Sequence, residues 1–176
     1  MSRFQPRTLA AIVCLSLLAL PSGAAASATL LGVSKNWKAF STGGGNDRVC
    51  YAISQPVSSL PKHTKRDSIG FLINDWPARK ARAQPEIVPG YKYKDDSEVT
   101  VQIGSDKFTF YPTNDGGTGS AWMKKNAEEA RLVEAMQRGE QAIVIGVSSR
   151  GTMTHDTYSL SGLNEALAKV HGACGE

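Results

Sequence analysis

The residues of this sequence that most resemble catalytic machinery lie near its C-terminal end. In the segment SRGTMTHDTYSLSG, His155 and Asp156 stand side by side with several serines close by. A serine nucleophile, a histidine base and an orienting aspartate are the parts of a hydrolytic triad. TMTHDTYSL, however, has the residue types of a β-strand, and neighbouring residues on a strand point to opposite faces. We therefore expect His155 and Asp156 to lie on different faces, which excludes a direct base–orienter contact between them.

The same alternation gives Asp156 a structural interpretation. Asp156 shares its strand face with Tyr158 and Leu160. If these two side chains enter the core, the carboxylate is partly buried and needs hydrogen-bonding partners. Backbone N–H groups or a basic side chain such as Arg150 are the nearby candidates. We predict that Asp156 and Tyr158 are structural residues.

Other sequence motifs give no catalytic or metal site. The chain lacks G-x-S-x-G, H-E-x-x-H and C-x-x-C. Its three histidines fall in a loop, a strand and a helix end, without the ligand spacing of a zinc site: His63, His155 and His171. The NDGGTG loop lacks the further carboxylates of a calcium loop. We predict a protein that is not an enzyme and has no cofactor; the alternative is a hydrolase whose site assembles from distant loops.

Basic residues occur in two loops that could meet a partner. They are Lys62, Lys65, Arg66, Arg79, Lys80 and Arg82. If the loops converge, they form a cationic surface for an anionic glycan, a lipid headgroup or an acidic protein. Two separately solvated loops are the simpler interpretation. Without Arg3 and Arg7 of the predicted signal peptide, the formal net charge falls from +4 to +2, which is too mild to predict nucleic-acid binding.

The N-terminal residues predict export. Arg3 and Arg7 precede an apolar run, LAAIVCLSLLAL, and small residues follow it. This is the pattern of a signal peptide over residues 1–28, with cleavage after Ala26 or Ala28. The run is too short for a membrane anchor, and no later segment approaches the required length. We expect a single mature domain over residues 29–176, periplasmic or secreted, with no transmembrane anchor.

Two of the three cysteines remain after this cleavage, Cys50 and Cys174. An even number of cysteines in an oxidising compartment favours a disulfide. Such a bridge would join an early strand to the C-terminal tail. We predict this bridge, with a structural role.

The positions of apolar residues predict the elements that hold these groups. EVTVQIGSDKFTFY reads as a hairpin turning at Gly104-Ser105, with Val99 opposite Phe110 and Val101 opposite Phe108. NAEEARLVEAMQRG predicts a helix with Leu132, Val133 and Met136 on its apolar face. SGLNEALAKVHG predicts a second helix, capped by Ser161 and Gly172.

Many short strands with two short helices predict a mainly β fold, a β-sandwich. The remaining strands of this prediction are WKAF, RVCYAIS, SIGFLIND, AIVIGV and TMTHDTYSL, and QPVSSLPKHTKRD is expected to be a polar loop. The three tryptophans are expected in or beside the core, one of them as a candidate interface residue. They are Trp37, Trp76 and Trp122.

Several of these segments together resemble one known family. CYAISQP, RLVEAMQRG and the RGT…DTYSLSG…AL…C tail are similar, in order and spacing, to the invasion associated locus B family of alphaproteobacterial exported proteins. The resemblance covers nearly the whole mature region. It implies an immunoglobulin-like sandwich in the periplasm or at the cell surface, and it supplies no catalytic residues. It also agrees with the bridge between Cys50 and Cys174.

Three hypotheses follow for the function. The first is a non-enzymatic exported protein that binds a protein or glycan in the envelope or on a host-cell surface. The second is the small extracytoplasmic hydrolase named above. The third is an envelope stress or maintenance protein that stabilises other exported proteins.

Overall fold

The computed structural model describes residues 27–62, 64–115 and 117–175, without the Asn126 side chain. The first 26 residues, which hold most of the predicted signal peptide, and His63 lie outside these ranges. The strands in the described chain are Thr29–Ser34 (β1), Trp37–Thr42 (β2), Val49–Ser54 (β3), Ser58–Leu60 (β4), Gly70–Trp76 (β5), Ala81–Val88 (β6), Val99–Ile103 (β7), Asp106–Thr113 (β8), Ser120–Trp122 (β9), Gln141–Val147 (β10) and Met153–Ser159 (β11). The helices are Asn126–Arg138 (α1) and Leu163–Cys174 (α2).

The strands form one antiparallel sheet in the order β1-β2-β3-β5-β6-β9-β8-β7-β10-β11-β4. The sheet folds into two layers because β8 belongs to both. Residues 106–110 of β8 pair with β7, whereas residues 111–113 pair with β9. The first layer contains β1, β2, β3, β5, β6 and β9, and the second contains β7, β10, β11 and β4. The predicted mainly β sandwich with two short helices is confirmed.

Aromatic side chains fill the space between the layers. The Phe71 ring of the first layer lies 6.4 Å from the Phe110 ring and 5.6 Å from the Tyr158 ring, both edge-on. The Trp37 ring lies 6.3 Å from Phe71 on its other flank. All four side chains are fully buried. Edge-on ring pairs of this kind stabilise a core beyond their buried area alone.

The β7–β8 hairpin has the predicted register. Val99 pairs with Phe110, Val101 pairs with Phe108, and all four side chains are buried. Gly104 has a φ of +57° at the turn, in the left-handed region that glycine tolerates. Turn chemistry and alternating pattern therefore agree with the fold.

The structure agrees with the predicted apolar face of α1 but not with the predicted ends of α2. Helix α1 buries Leu132, Val133 and Met136 as expected. The predicted caps of α2 are wrong, because the helix begins after Gly162 rather than at Ser161 and continues through Gly172 to Cys174. Gly162 has a φ of +95°, and a Cβ there would collide with the Ser34 carbonyl. The chain thus needs glycine to pass β1 and enter the helix.

The predicted disulfide between Cys50 and Cys174 is confirmed, with an S–S distance of 1.98 Å across a sequence separation of 124. It joins the inner face of β3 to α2. The helix also packs against β1, β2 and β5 on this face. The outer face of the first layer therefore lies on the side away from α2.

Four strands were not expected from the sequence: β1, β4, β6 and β9. Strand β4 lies inside the segment predicted as a polar loop. Strand β6 contains Pro85, which normally argues against a sheet interior. Pro85 pairs with Ile73 of β5 but lies beyond the β9 ladder, which includes Glu86 and Ile87 of β6.

Candidate functional site

Asp156 is buried in an ion pair with Arg66. The two guanidinium nitrogens donate to the two carboxylate oxygens at 2.7 and 2.6 Å, and both side chains are about 5% exposed or less. Arg66 Nε also donates to the Pro89 carbonyl at 2.8 Å. The partner is thus Arg66, 90 positions away, rather than Arg150. The pair fixes the loop before β5 to β11.

Tyrosines surround this ion pair. The Arg66 guanidinium lies 5.0 Å from the Tyr91 ring centroid, and the Tyr91 hydroxyl lies 2.6 Å from the Thr154 hydroxyl. Burial alone would lower the pKa of Arg66, but the hydrogen bonds and charge of Asp156 outweigh it and raise that pKa. Burial also raises the pKa of Tyr91 and Tyr158. The cluster therefore holds one fixed charge pair among neutral phenols, as expected of an internal structural contact.

The predicted basic residues do not form one surface. Lys62, Lys65 and Arg66 precede β5, and their loop contacts the chain at Pro89 and Gly90, just after β6. Of the other three, Arg79 and Lys80 lie just before β6 and Arg82 is its second residue. The length of that strand, about 25 Å, separates the two groups. Arg66 is moreover in a buried ion pair with Asp156, so its charge does not face solvent. The Arg79 guanidinium lies 4.5 Å from the Trp76 ring centroid.

His155 and Asp156 lie on opposite faces of β11. Asp156 is inward and 3% exposed, whereas His155 lies on the half-exposed outer face, paired with Ile145 and Leu60. Of the other histidines, His171 contacts Asp75 through Nδ1 at 2.7 Å and ties α2 to β5. Within residues 27–62, 64–115 and 117–175, the histidines, cysteines and acids form no cluster of three that could hold a metal. No helix in these ranges is long and apolar enough to span a membrane.

The outer face of the first layer carries more apolar and aromatic side chains than is usual for a sheet face in contact with water. Strand pairing places six side chains in one line across β2, β3, β5, β6, β9 and β8, which we call the transverse row. The row consists of Lys38, Ile53, Leu72, Glu86, Trp122 and Tyr111. At the usual strand spacing it is about 24 Å long. Lys38 is exposed, and the other five side chains are half-buried.

A cleft lies at each end of the transverse row. One is about 750 Å³ in volume and lies between Tyr111, Trp122 and the loop 94–97. The Lys124 ammonium lies 3.5 Å from the Tyr111 ring centroid there. The other is about 510 Å³ in volume, beside Phe40 and Tyr51, whose rings stack with centroids 5.4 Å apart. Both volumes are in the range of ligand-binding pockets.

Polar groups occupy the middle of the row. Glu86 accepts a hydrogen bond from the Asn74 amide at 3.2 Å, and Gln84 donates to Glu129 of α1 at 3.4 Å. Burial raises the pKa of Glu86, and the hydrogen bond from Asn74 offsets part of this rise. The face thus combines half-buried rings and aliphatic side chains with a partly desolvated acceptor.

The sequence does not reveal this face directly. Its central members lie on β6 and β9, which were not recognised as strands, so their alignment could not be read. The prediction that one tryptophan lies at an interface is the nearest signal. Trp37 is fully buried, whereas Trp76 and Trp122 keep partial exposure.

Comparison with known proteins gives a family and a fold. A family model described as "Invasion associated locus B (IalB) protein" matches residues 37–171. The fold is similar to the crystal structure of invasion associated protein b from Bartonella henselae, with a TM-score of 0.57 and 13% identity, covering 82% of this chain and 98% of that chain. At this identity the likeness concerns the fold alone. No curated protein matches the chain.

Proposed function

Because the chain belongs to the invasion associated locus B family, we propose that it is an exported, non-enzymatic protein that binds a protein or glycan in the bacterial envelope or on a host-cell surface. The disulfide, which is typical of proteins that fold outside the cytoplasm, supports an extracytoplasmic location. The signal pattern of residues 1–28 favours the periplasm or secretion. Host-cell contact is consistent with the name of the structurally similar Bartonella henselae protein.

One observation carries the proposal: the outer face of the first layer presents the transverse row, with a cleft at each end. The solvent face of an antiparallel sheet is normally polar. Here Ile53, Leu72, Trp122 and Tyr111 remain partly accessible instead. Contiguous apolar side chains with a polar surround are typical of interaction sites. We therefore place partner binding on this face.

The proposal is tested with a charge placed in the middle of the row. Leu72→Lys should weaken the binding of the oxidised mature protein to envelope fractions and host-cell surfaces at least about tenfold. The control is Ile145→Lys, a half-buried aliphatic position on the outer face of the second layer, which should bind like the parent. Equal melting temperatures establish that both variants fold.

Two results would contradict this assignment. Unchanged binding by Leu72→Lys would remove the transverse row from the binding surface. A loss of binding by Ile145→Lys alone would place the surface on the second layer.

A further inference from the structure

We propose that the transverse row and its two clefts form one site for an extended, uncharged glycan chain. This inference rests on the proposed function and specifies the ligand of the same face. The site is linear, about 24 Å long, and runs across the strands rather than along a sheet edge. It has room for several sugar units in a row.

The charges of the site favour an uncharged ligand. The row and the clefts carry three lysines and three carboxylates: Lys38, Lys94, Lys124, Glu86, Asp95 and Asp96. Their formal charges cancel. An anionic chain such as a nucleic acid or a sulfated glycan would meet Glu86 at the centre, where like charges repel, and a cleft at one end whose two lysines and two aspartates give it no net attraction. A polyhydroxyl chain both donates and accepts hydrogen bonds, so it suits alternating ammonium and carboxylate groups.

Glu86 also argues against a partner protein that covers the row with an apolar surface. Its carboxylate is half-buried, and the Asn74 amide hydrogen-bonds only one of its oxygens, Oε2. Covering it with an apolar protein surface would desolvate a charge that gains no donor, which is strongly unfavourable. Sugar hydroxyls would instead donate to it. An added β-strand is excluded for another reason, because strand addition takes place at sheet edges and not across a sheet face.

The aromatic residues supply the second half of glycan recognition. Trp122 and Tyr111 lie at one end of the row, and Phe40 and Tyr51 lie beside the other. Ring faces carry negative electrostatic potential and attract the weakly positive C–H groups of a pyranose ring. The Lys124 ammonium beside Tyr111 adds a donor for a hydroxyl. A chain long enough to reach both ends would therefore contact rings at each end and Glu86 between them.

Neutral hexasaccharides test this inference directly. The probes are chitohexaose, cellohexaose and maltohexaose, with a heparin hexasaccharide as the anionic comparison, titrated into the oxidised mature protein by calorimetry. We expect saturable binding of at least one neutral hexasaccharide, and weaker binding of its di- and trisaccharides because they cannot fill the row. We expect no stronger binding of the heparin fragment.

Variants then locate the site. Trp122→Ala removes a ring and Glu86→Gln removes the charge while keeping the shape; each should weaken the neutral hexasaccharide at least about tenfold. Ile145→Ala, on the other layer, should leave its affinity unchanged. Because Trp122 also donates a hydrogen bond to Ser120, the Glu86→Gln variant provides the test if the alanine variant is unstable.

Two further probes distinguish a bacterial source of the glycan from a host source. Neutral O-polysaccharide from the bacterial envelope and neutral N-glycans from host-cell glycoproteins are compared, and preferential binding of either supports the inference. The inference is overturned if no neutral saccharide binds, or if binding survives both Trp122→Ala and Glu86→Gln. It is also overturned if envelope binding is abolished by protease and by Leu72→Lys but not by periodate. The last result would leave the proposed function intact and make the partner a protein.

Discussion

Replacing Arg66 with methionine should destabilise the protein strongly. Methionine keeps an apolar stem of similar length but removes the guanidinium, so Asp156 loses both of its short hydrogen bonds while remaining 3% exposed. Breaking a buried ion pair by removing one partner costs about 3–5 kcal/mol, because the other charge stays buried and unpaired. For a domain of this size, that loss lowers the melting temperature by about 10 °C.

The measurement is urea unfolding of the oxidised mature protein, with free energies extrapolated at a common slope. Asp156→Asn should also destabilise, since it leaves the Arg66 charge without its counter-ion. His155→Ala is the matched control from the same strand. It lies on the opposite, half-exposed face and should change the free energy of unfolding by less than about 0.5 kcal/mol.

A double variant separates the charge effect from loss of packing. Arg66→Met combined with Asp156→Leu removes both charges, and well-packed apolar replacements of buried ion pairs are often neutral. The double variant should therefore be more stable than Arg66→Met alone. A loss below about 1 kcal/mol for Arg66→Met would refute the reasoning, because it would mean that Asp156 is solvated or paired elsewhere in solution.

Two further predictions concern α2. The mass of the intact protein should be lower than that of its reduced form by two hydrogen atoms. Reduction should lower the free energy of unfolding by about 4–5 kcal/mol, the loop-entropy value for a ring of this length. Two thiols that alkylate without prior reduction would contradict the bridge. Gly162→Ala should destabilise the protein because the added Cβ would collide with the Ser34 carbonyl. Gly172→Ala, inside the helix with open space around it, should instead stabilise the protein by about 0.4–1 kcal/mol. Equal melting temperatures of the two variants would refute the account of the helix entry.

The features that local sequence determines were predicted well. The β7–β8 hairpin is specified by a glycine turn flanked by alternating apolar residues, and all of this information lies within fourteen residues. Helix α1 likewise follows from its own composition and apolar face. The disulfide could be predicted without knowing the fold, because the predicted exported domain contains only two cysteines.

The features that depend on distant pairing were missed. Arg66 and Asp156 stand 90 positions apart, and nothing near either residue indicates the other. Strand β6 carries Pro85, Arg82 and Glu86, so its own residue types argue against the central position that β5 and β9 give it. The transverse row has one residue from each of six strands. Such a row can be recognised only when the order and register of those strands are known.

The position of the disulfide also has a consequence for how the chain matures. Cys50 is synthesised 124 residues before Cys174, which at usual translation rates means about 6–25 s earlier. During that interval Cys50, and the apolar side of β2 and β3 that α2 later covers, have no native partner. A disulfide formed by Cys50 in that interval would join it to a thiol other than that of Cys174. Correct maturation therefore favours an order of events in which oxidation follows, rather than accompanies, emergence of the chain.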